Sequence, residues 1–218
     1  MIDYKYAYFI GAFVTLLVWL VLYITRKDLR NEMLVMSFAT LLLAPTNILY
    51  FGTYWEPQFV FNFYNIGIES IIVCFSYGGI CGIIYEYTLE KRLTPEGSLM
   101  SAWHIKHPLI SFLLGLASIF SLELFTDFNV ILTTSTGLLV TGLAYVFYRR
   151  DLLIPALITG VLSTLISVII YWLLLLLFPE FFDMFWVTEN IIDIRLLSIP
   201  IQEHYFHFAL GVCLGPMY

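Results

Sequence analysis

Charged residues are scarce in this chain of 218 residues, because Asp, Glu, Lys and Arg together make up only 12% of it. Soluble domains carry roughly 25% charged residues. Apolar residues make up 61% and the mean hydropathy is +0.89. This composition excludes an ordinary soluble domain and predicts an all-α, polytopic integral membrane protein.

Cysteine is also rare, and several signatures of cofactor and metal sites are missing. The three cysteines lie inside apolar runs, with neither a disulfide framework nor zinc-ligand spacing. The glycine pairs lack the strand-turn-helix context of a dinucleotide fold, so no cofactor is expected. Glu203, His204 and His207 lie within about one helical turn, but no second cluster supplies further metal ligands. We expect these histidines to bond a carboxylate or a backbone carbonyl instead.

Seven apolar runs are long enough to cross roughly 30 Å of hydrocarbon, which takes about 20 helical residues. They predict transmembrane helices at 7–25, 33–51, 65–85, 107–126, 129–147, 152–178 and 197–217. The first run follows Asp3 and lacks a small-residue cleavage site, so it is expected to stay in the protein as a membrane span.

The basic residues between these runs predict the orientation, since cytoplasmic loops carry the excess of Lys and Arg. Eight of the ten basic residues fall on one side, namely Arg26, Lys27, Arg30, Lys91, Arg92, Lys106, Arg149 and Arg150. The amino terminus is therefore expected outside and the carboxyl terminus in the cytoplasm. Acidic residues mark the outer side: Asp3, Glu56, Asp127, Glu180, Asp183, Glu189 and Asp193. The net charge of −6 argues against nucleic acid as a partner.

Two segments read as copies of each other at an offset of 133 residues. They are IGIES at 66–70 and IPIQE at 199–203, and each keeps one carboxylate where the other has lost it. Upstream, RKDL at 26–29 corresponds to RRDL at 149–152 at an offset of 123. The pattern predicts two parallel three-helix repeats, 7–85 and 129–218, joined by a linker helix at 107–126, with a ligand at the seam between the repeats.

Polar residues inside the apolar runs are the candidate site, because charges in a membrane are costly and usually functional. Glu69 and Glu203 begin the third and seventh runs, while Glu123 and Asn47 lie near the outer ends of two others. All four are predicted at one depth, where they would line a polar pocket. The alternative is that they face interfacial water.

Several short elements resemble the membrane lycopene cyclases of the heterodimeric or fused, non-flavin type. In that family a Pro-Trp-Asp-Asn element is followed by an aromatic loop and a Pro-x-Glu-Glu motif. The matching elements here are Pro45-Thr46-Asn47, Tyr54-Trp55-Glu56-Pro57, IGIE at 66–69 and IPIQE at 199–203. Neither copy keeps the double Glu, Gly67 replaces the proline, and only Thr46 represents the Trp-Asp pair.

The resemblance implies an acid-started cyclisation or isomerisation of a carotenoid or other polyprenyl lipid, without net redox change. It implies that Glu69 and Glu203 act as acid and base, since burial favours the neutral carboxylic acid that must donate the proton. The predicted substrate contacts are Asn47, Gln202, Glu123, His204, Tyr64, Tyr205, Trp55 and Trp186. Aromatic faces among them would stabilise a carbocation.

Two other functions stay open. Small transporters share the three-plus-one-plus-three topology, although they usually break helices with proline near the midplane, whereas the run after Pro155 is unbroken. A noncatalytic lipid-binding relative of the cyclases would explain why half of each acidic pair is lost. A homo-oligomer is compatible with any of these functions.

Overall fold

The computed structural model describes residues 3–90, 102–187, 192 and 194–217, with the backbone alone at 102–105. Lys91, Arg92, Glu189 and Asp193, on which part of the predicted orientation depends, lie outside the described residues. The described chain is all-α. Its α-helices are α1 (Ala7–Thr25), α2 (Arg30–Thr40), α3 (Asn47–Tyr50), α4 (Ile68–Leu89), α5 (Ala102–Phe125), α6 (Val130–Tyr148), α7 (Leu153–Leu177), α8 (Phe181–Phe185) and α9 (Ile201–Leu214).

Six helical segments among the described residues are long and apolar enough to cross a membrane. They are Tyr4–Thr25, Lys27–Tyr50, Ile68–Leu89, Lys106–Phe125, Val130–Tyr148 and Arg150–Leu177. The protein is thus an integral membrane protein, and α1 has the predicted bounds. The seventh predicted span is shorter, because α9 has 14 residues. At 1.5 Å per residue α9 is about 21 Å long, less than the hydrocarbon thickness of about 30 Å.

Two short hairpins replace the predicted first turns of the third and seventh spans. Their strands are β1 (Asn62–Phe63), β2 (Ile66–Gly67), β3 (Arg195–Leu196) and β4 (Ile199–Pro200). The central turn residues have left-handed φ values of 50°, 61°, 56° and 66°, at Tyr64, Asn65, Leu197 and Ser198. Two consecutive left-handed residues are typical of a type I′ turn. The predicted helix starts at 65 and 197 are therefore wrong, and both helices begin just after a hairpin.

The RKDL and RRDL segments form the same corner. Arg26 ends α1 with φ −115° and ψ 79°, and Arg149 ends α6 with φ −122° and ψ 73°. The Nε and Nη2 atoms of Arg26 donate to Asp28 at 2.9 Å each. Those of Arg149 donate to Asp151 at 3.0 and 2.8 Å. Each guanidinium thus holds the aspartate two residues later in a bidentate fork, and a short 3₁₀ helix follows.

By their contacts, the residues divide into two compact units, Met1–Ile80 with Leu165–His204, and Cys81–Thr164 with Tyr205–Tyr218. We call them the first and the second unit. This division cuts across the predicted repeats 7–85 and 129–218, which remain a prediction.

A hydroxyl-to-carbonyl hydrogen bond joins α2 with α4 in the first unit, and another joins α7 with α9 in the second. Thr40 Oγ1 donates to the carbonyl of Cys74 at 2.8 Å. Ser163 Oγ donates to the carbonyl of His207 at 2.7 Å. The two donors are 123 residues apart and the two acceptors 133, the offsets of the sequence copies.

A glycine four residues after each acceptor lets the helices approach closely. A Cβ at Gly78 would overlap the side chain of Thr40. A Cβ at Gly211 would lie 2.7 Å from the carbonyl oxygen of Thr159 and 2.8 Å from the Cα of Gly160. These contacts are with backbone atoms, which cannot rotate away, so a larger residue at 211 would push α7 and α9 apart.

We expect Gly211→Leu to lower the free energy of unfolding by about 1–3 kcal/mol, because an added side chain has no space there. Thermal unfolding of the purified protein in detergent micelles measures the change. Val161→Leu is the control, since Val161 lies on α7 and is 51% exposed. It should change stability by less than about 0.5 kcal/mol. Equal effects of the two substitutions would contradict the close packing.

Candidate functional site

Glu203 is a buried carboxyl that three side chains hold by hydrogen bonds. It lies in the first turn of α9 and is 4% exposed. Tyr54 Oη donates to Oε1 at 2.6 Å, and Trp186 Nε1 donates to the same oxygen at 3.0 Å. Tyr171 Oη donates to Oε2 at 2.5 Å. All four residues belong to the first unit, and both carboxyl oxygens accept a hydrogen bond.

Backbone pairing between two loops positions the Tyr54 and Trp186 donors. The amide of Glu56 donates to the carbonyl of Phe185 at 2.7 Å, and the amide of Val187 donates to the carbonyl of Tyr54 at 2.9 Å. Burial raises the pKa of Tyr54 well above its ordinary value, and the Glu203 carboxylate raises it further. Its phenol therefore keeps the proton and remains a donor throughout the physiological pH range.

Aromatic rings surround these donors. The Trp186 ring lies 4.7 Å from Phe182, 5.3 Å from Phe181 and 5.9 Å from Trp55, measured between centroids. The ring of Tyr171 lies 5.2 Å from Phe182. The faces of such rings carry partial negative charge and attract cations. The site therefore combines one carboxyl group with an aromatic enclosure.

Glu69, the second candidate acid, has a different environment in the first turn of α4. It is fully buried, and its Oε1 accepts a hydrogen bond from the backbone amide of Val60 at 2.7 Å. Its Oε2 has no hydrogen-bond partner among the described residues. Gly67 leaves the space for this carboxyl, since a Cβ there would meet the Phe59 ring and Glu69 Oε2.

Tyr8, on α1, connects the surroundings of the two acids. Its hydroxyl lies 3.4 Å from that of Ser70, the residue after Glu69. Its ring lies 4.8 Å from that of Trp55, which in turn packs against Trp186, a donor to Glu203. The first unit therefore contains both predicted acids around a shared aromatic group.

The other predicted contacts of the first unit differ in their environment. Gln202 is 1% exposed, and neither of its amide atoms has a partner among the described residues. Asn47 Nδ2 donates to the carbonyl of Asn65 at 2.9 Å, so it supports the first hairpin turn. His204 Nε2 lies 3.0 Å from the backbone carbonyl oxygen of Leu196. A backbone carbonyl or a carboxylate was the partner expected for this histidine.

Three further predicted contacts lie outside this buried group. Tyr64 is 80% exposed at the tip of the first hairpin. Glu123 and Tyr205 belong to the second unit. There Thr133 Oγ1 donates to Glu123 Oε1 at 2.7 Å, and the hydroxyls of Tyr205 and Thr136 are 3.0 Å apart.

Sequence reasoning missed three residues of the site, namely Tyr8, Tyr54 and Tyr171. Tyr54 precedes Trp55 in the element that carried the resemblance. Tyr171 lies in a long apolar run. A tyrosine in such a run usually has a hydrogen-bond partner for its hydroxyl, and this signal could have identified it. Tyr8 has no comparable signal.

Residues 129–218 match the family model for lycopene cyclase. This match covers less than half of the chain and includes Tyr171, Trp186 and Glu203, but neither Glu69 nor Tyr54. No curated protein and no solved structure matches the chain. The resemblance to the lycopene cyclase family, with the departures already described, is thus confirmed over this segment.

We expect Tyr171→Phe to lower the free energy of unfolding by about 1–3 kcal/mol, because it removes a hydrogen bond to a buried carboxyl group. Tyr64→Phe is the matched control. It removes the same hydroxyl from an exposed ring and should change stability by less than about 0.5 kcal/mol. Chemical or thermal unfolding in detergent compares the two variants. If Tyr171→Phe is as stable as the control, the hydrogen bond to Glu203 has no energetic importance.

Proposed function

We propose that this protein is a lycopene-cyclase-like membrane enzyme, which cyclises or isomerises the end group of a carotenoid or other polyprenyl lipid by proton transfer. The observation that carries the proposal is the hydrogen-bonded Glu203 carboxyl inside an aromatic enclosure. It lies within the segment that matches the lycopene cyclase family. An apolar substrate also suits a protein with six membrane-crossing helices.

The reaction needs a proton donor, a base and surroundings that tolerate a cation. Protonation of a terminal double bond creates a carbocation, attack by a second double bond closes the ring, and loss of a proton restores an alkene. Glu69 and Glu203 supply the two carboxyl groups. Trp55 and Trp186 supply aromatic faces for the cation. Because the proton gained equals the proton lost, no redox cofactor takes part.

The proposed architecture is two parallel three-helix repeats joined by the linker helix α5, with the amino terminus outside. Three local similarities support the repeats: the Arg-Asp corners, the type I′ hairpins and the helix-joining hydroxyl bonds. Each recurs at an offset of 123 or 133 residues. In this arrangement Gln202 occupies the position of Glu69, and Glu203 that of Ser70.

A noncatalytic lipid-binding protein is the second candidate. It is favoured by the loss of one acid from each copy, with Ser70 in the first and Gln202 in the second. Both residues are buried. Such a protein would keep the aromatic enclosure and bind a polyprenyl chain without changing it.

We expect Glu69→Gln and Glu203→Gln each to abolish product formation, because each removes one of the two carboxyl groups that the proton transfers need. The assay supplies lycopene to membranes that contain the protein and measures cyclic products by liquid chromatography and mass spectrometry. Glu180→Gln is the control, since it makes the same change at an exposed position. Full activity in either variant would remove that residue from the mechanism.

Lipids that copurify with the protein distinguish the two candidate functions. An enzyme should carry a cyclic terpenoid or its linear precursor, and Glu69→Gln should shift the mixture toward the precursor. A single unmodified polyprenyl lipid in the wild type and in both acid variants would favour the lipid-binding protein.

A further inference from the structure

We propose that the two acids have fixed and different roles: Glu69 delivers the proton, while Glu203 starts the reaction as an anion, stabilises the cation and then accepts the departing proton. Tyr54, Tyr171 and Trp186 are positioning residues that keep Glu203 ionised. This division of roles rests on the proposed function.

The donors around Glu203 favour a carboxylate over a carboxylic acid before the reaction begins. Oε1 already accepts from Tyr54 and Trp186, and Oε2 accepts from Tyr171. The indole N–H of Trp186 can only donate, so it has no way to accept a proton from Oε1. A protonated carboxyl would have to reverse the bond to a tyrosine, whose hydroxyl would then accept, whereas a carboxylate accepts all three bonds as they stand. Hydrogen bonds of this kind stabilise the ionised form.

Glu69 has the opposite arrangement. One backbone amide, that of Val60, donates to Oε1, and Oε2 has no partner among the described residues. An ionised carboxylate that is fully buried with one hydrogen bond is costly, and the neutral acid costs much less. A proton on Oε2 would remove the charge, and its O–H would have no competing acceptor among the described residues, so it would be available to protonate a double bond.

The protons balance over one turnover. The Glu69 O–H bond breaks and a C–H bond forms at the terminal alkene, whose π electrons make that bond. A second alkene forms the ring C–C bond, and a ring C–H bond then breaks, its electrons forming the new double bond and its proton passing to Glu203. Return of that proton to Glu69 resets the site. A carbocation is so acidic that a hydrogen-bonded carboxylate is a sufficient base.

Infrared difference spectroscopy tests the two protonation states without any substrate. Purified protein in detergent at neutral pH should show the carbonyl stretch of a protonated, buried carboxylic acid. This band should disappear in Glu69→Gln and remain in Glu203→Gln. Glu86→Gln is the matched control for another buried glutamate and identifies any band of its own. The assignment is overturned if the band disappears in Glu203→Gln and remains in Glu69→Gln.

The donors are tested in the same way. Tyr54→Phe combined with Tyr171→Phe should create a second protonated-acid band, because Glu203 loses the hydrogen bonds that stabilise its charge. Adding Glu203→Gln should abolish that band, and Tyr64→Phe should create none. If the double variant shows no new band, the tyrosines do not control the protonation of Glu203.

Kinetics give an independent measurement once a product is established. Tyr171→Phe should reduce kcat about tenfold or more with little change in KM, which corresponds to the loss of one hydrogen bond to a charged group. An unchanged kcat, or a loss that appears only in KM, would contradict the proposed role of Tyr171. If the infrared bands are as expected but no product forms from lycopene, the proposed function is contradicted and the assignment of the two protonation states stands.

Discussion

Inside a membrane, water is scarce, so a buried polar group depends on hydrogen-bond partners within the protein, and many polar side chains of the described residues have one there. Many hydroxyls find a partner locally, as Thr15 and Ser135 do by donating to the carbonyl four residues earlier. Ser163 reaches the carbonyl of another helix, and the Thr40 hydroxyl is shared between the carbonyl four residues earlier and one on another helix. Glu203 is the most demanding case, because a carboxyl group needs several donors. It draws on α7 and on two paired loops to obtain them.

Hydropathy predicted much of the fold, since a span of lipid demands an apolar run of known length. It located α1 correctly, and the offsets of 123 and 133 residues anticipated the matching corners. The hairpins were missed for a physical reason. Leu197 and Ser198 are not typical residues for a left-handed turn. Trp172, distant in sequence, donates to the Leu197 carbonyl at 3.1 Å and thereby supports that turn.

The site could be predicted only in part. Charge in an apolar run singles out Glu69 and Glu203, because such residues are costly and rarely accidental. Their donors carry no such signal, since tyrosine and tryptophan are common at membrane interfaces and in protein cores. Tyr54 is 149 residues from the carboxyl that it bonds. Contacts over that distance depend on how the loops pair, which local sequence does not encode.

The departures from the cyclase pattern gain a physical meaning once the two acids are compared. A double Glu in each copy would bring four carboxyl groups to the site, and like charges in a medium of low dielectric repel strongly. Here one acid remains per copy, and the two occupy non-equivalent positions of the proposed repeats. Glu69 adjoins a hairpin amide, whereas Glu203 faces three side-chain donors. Loss of one acid from each copy therefore leaves two carboxyls in unlike environments, which is the condition for one to act as an acid and the other as a base.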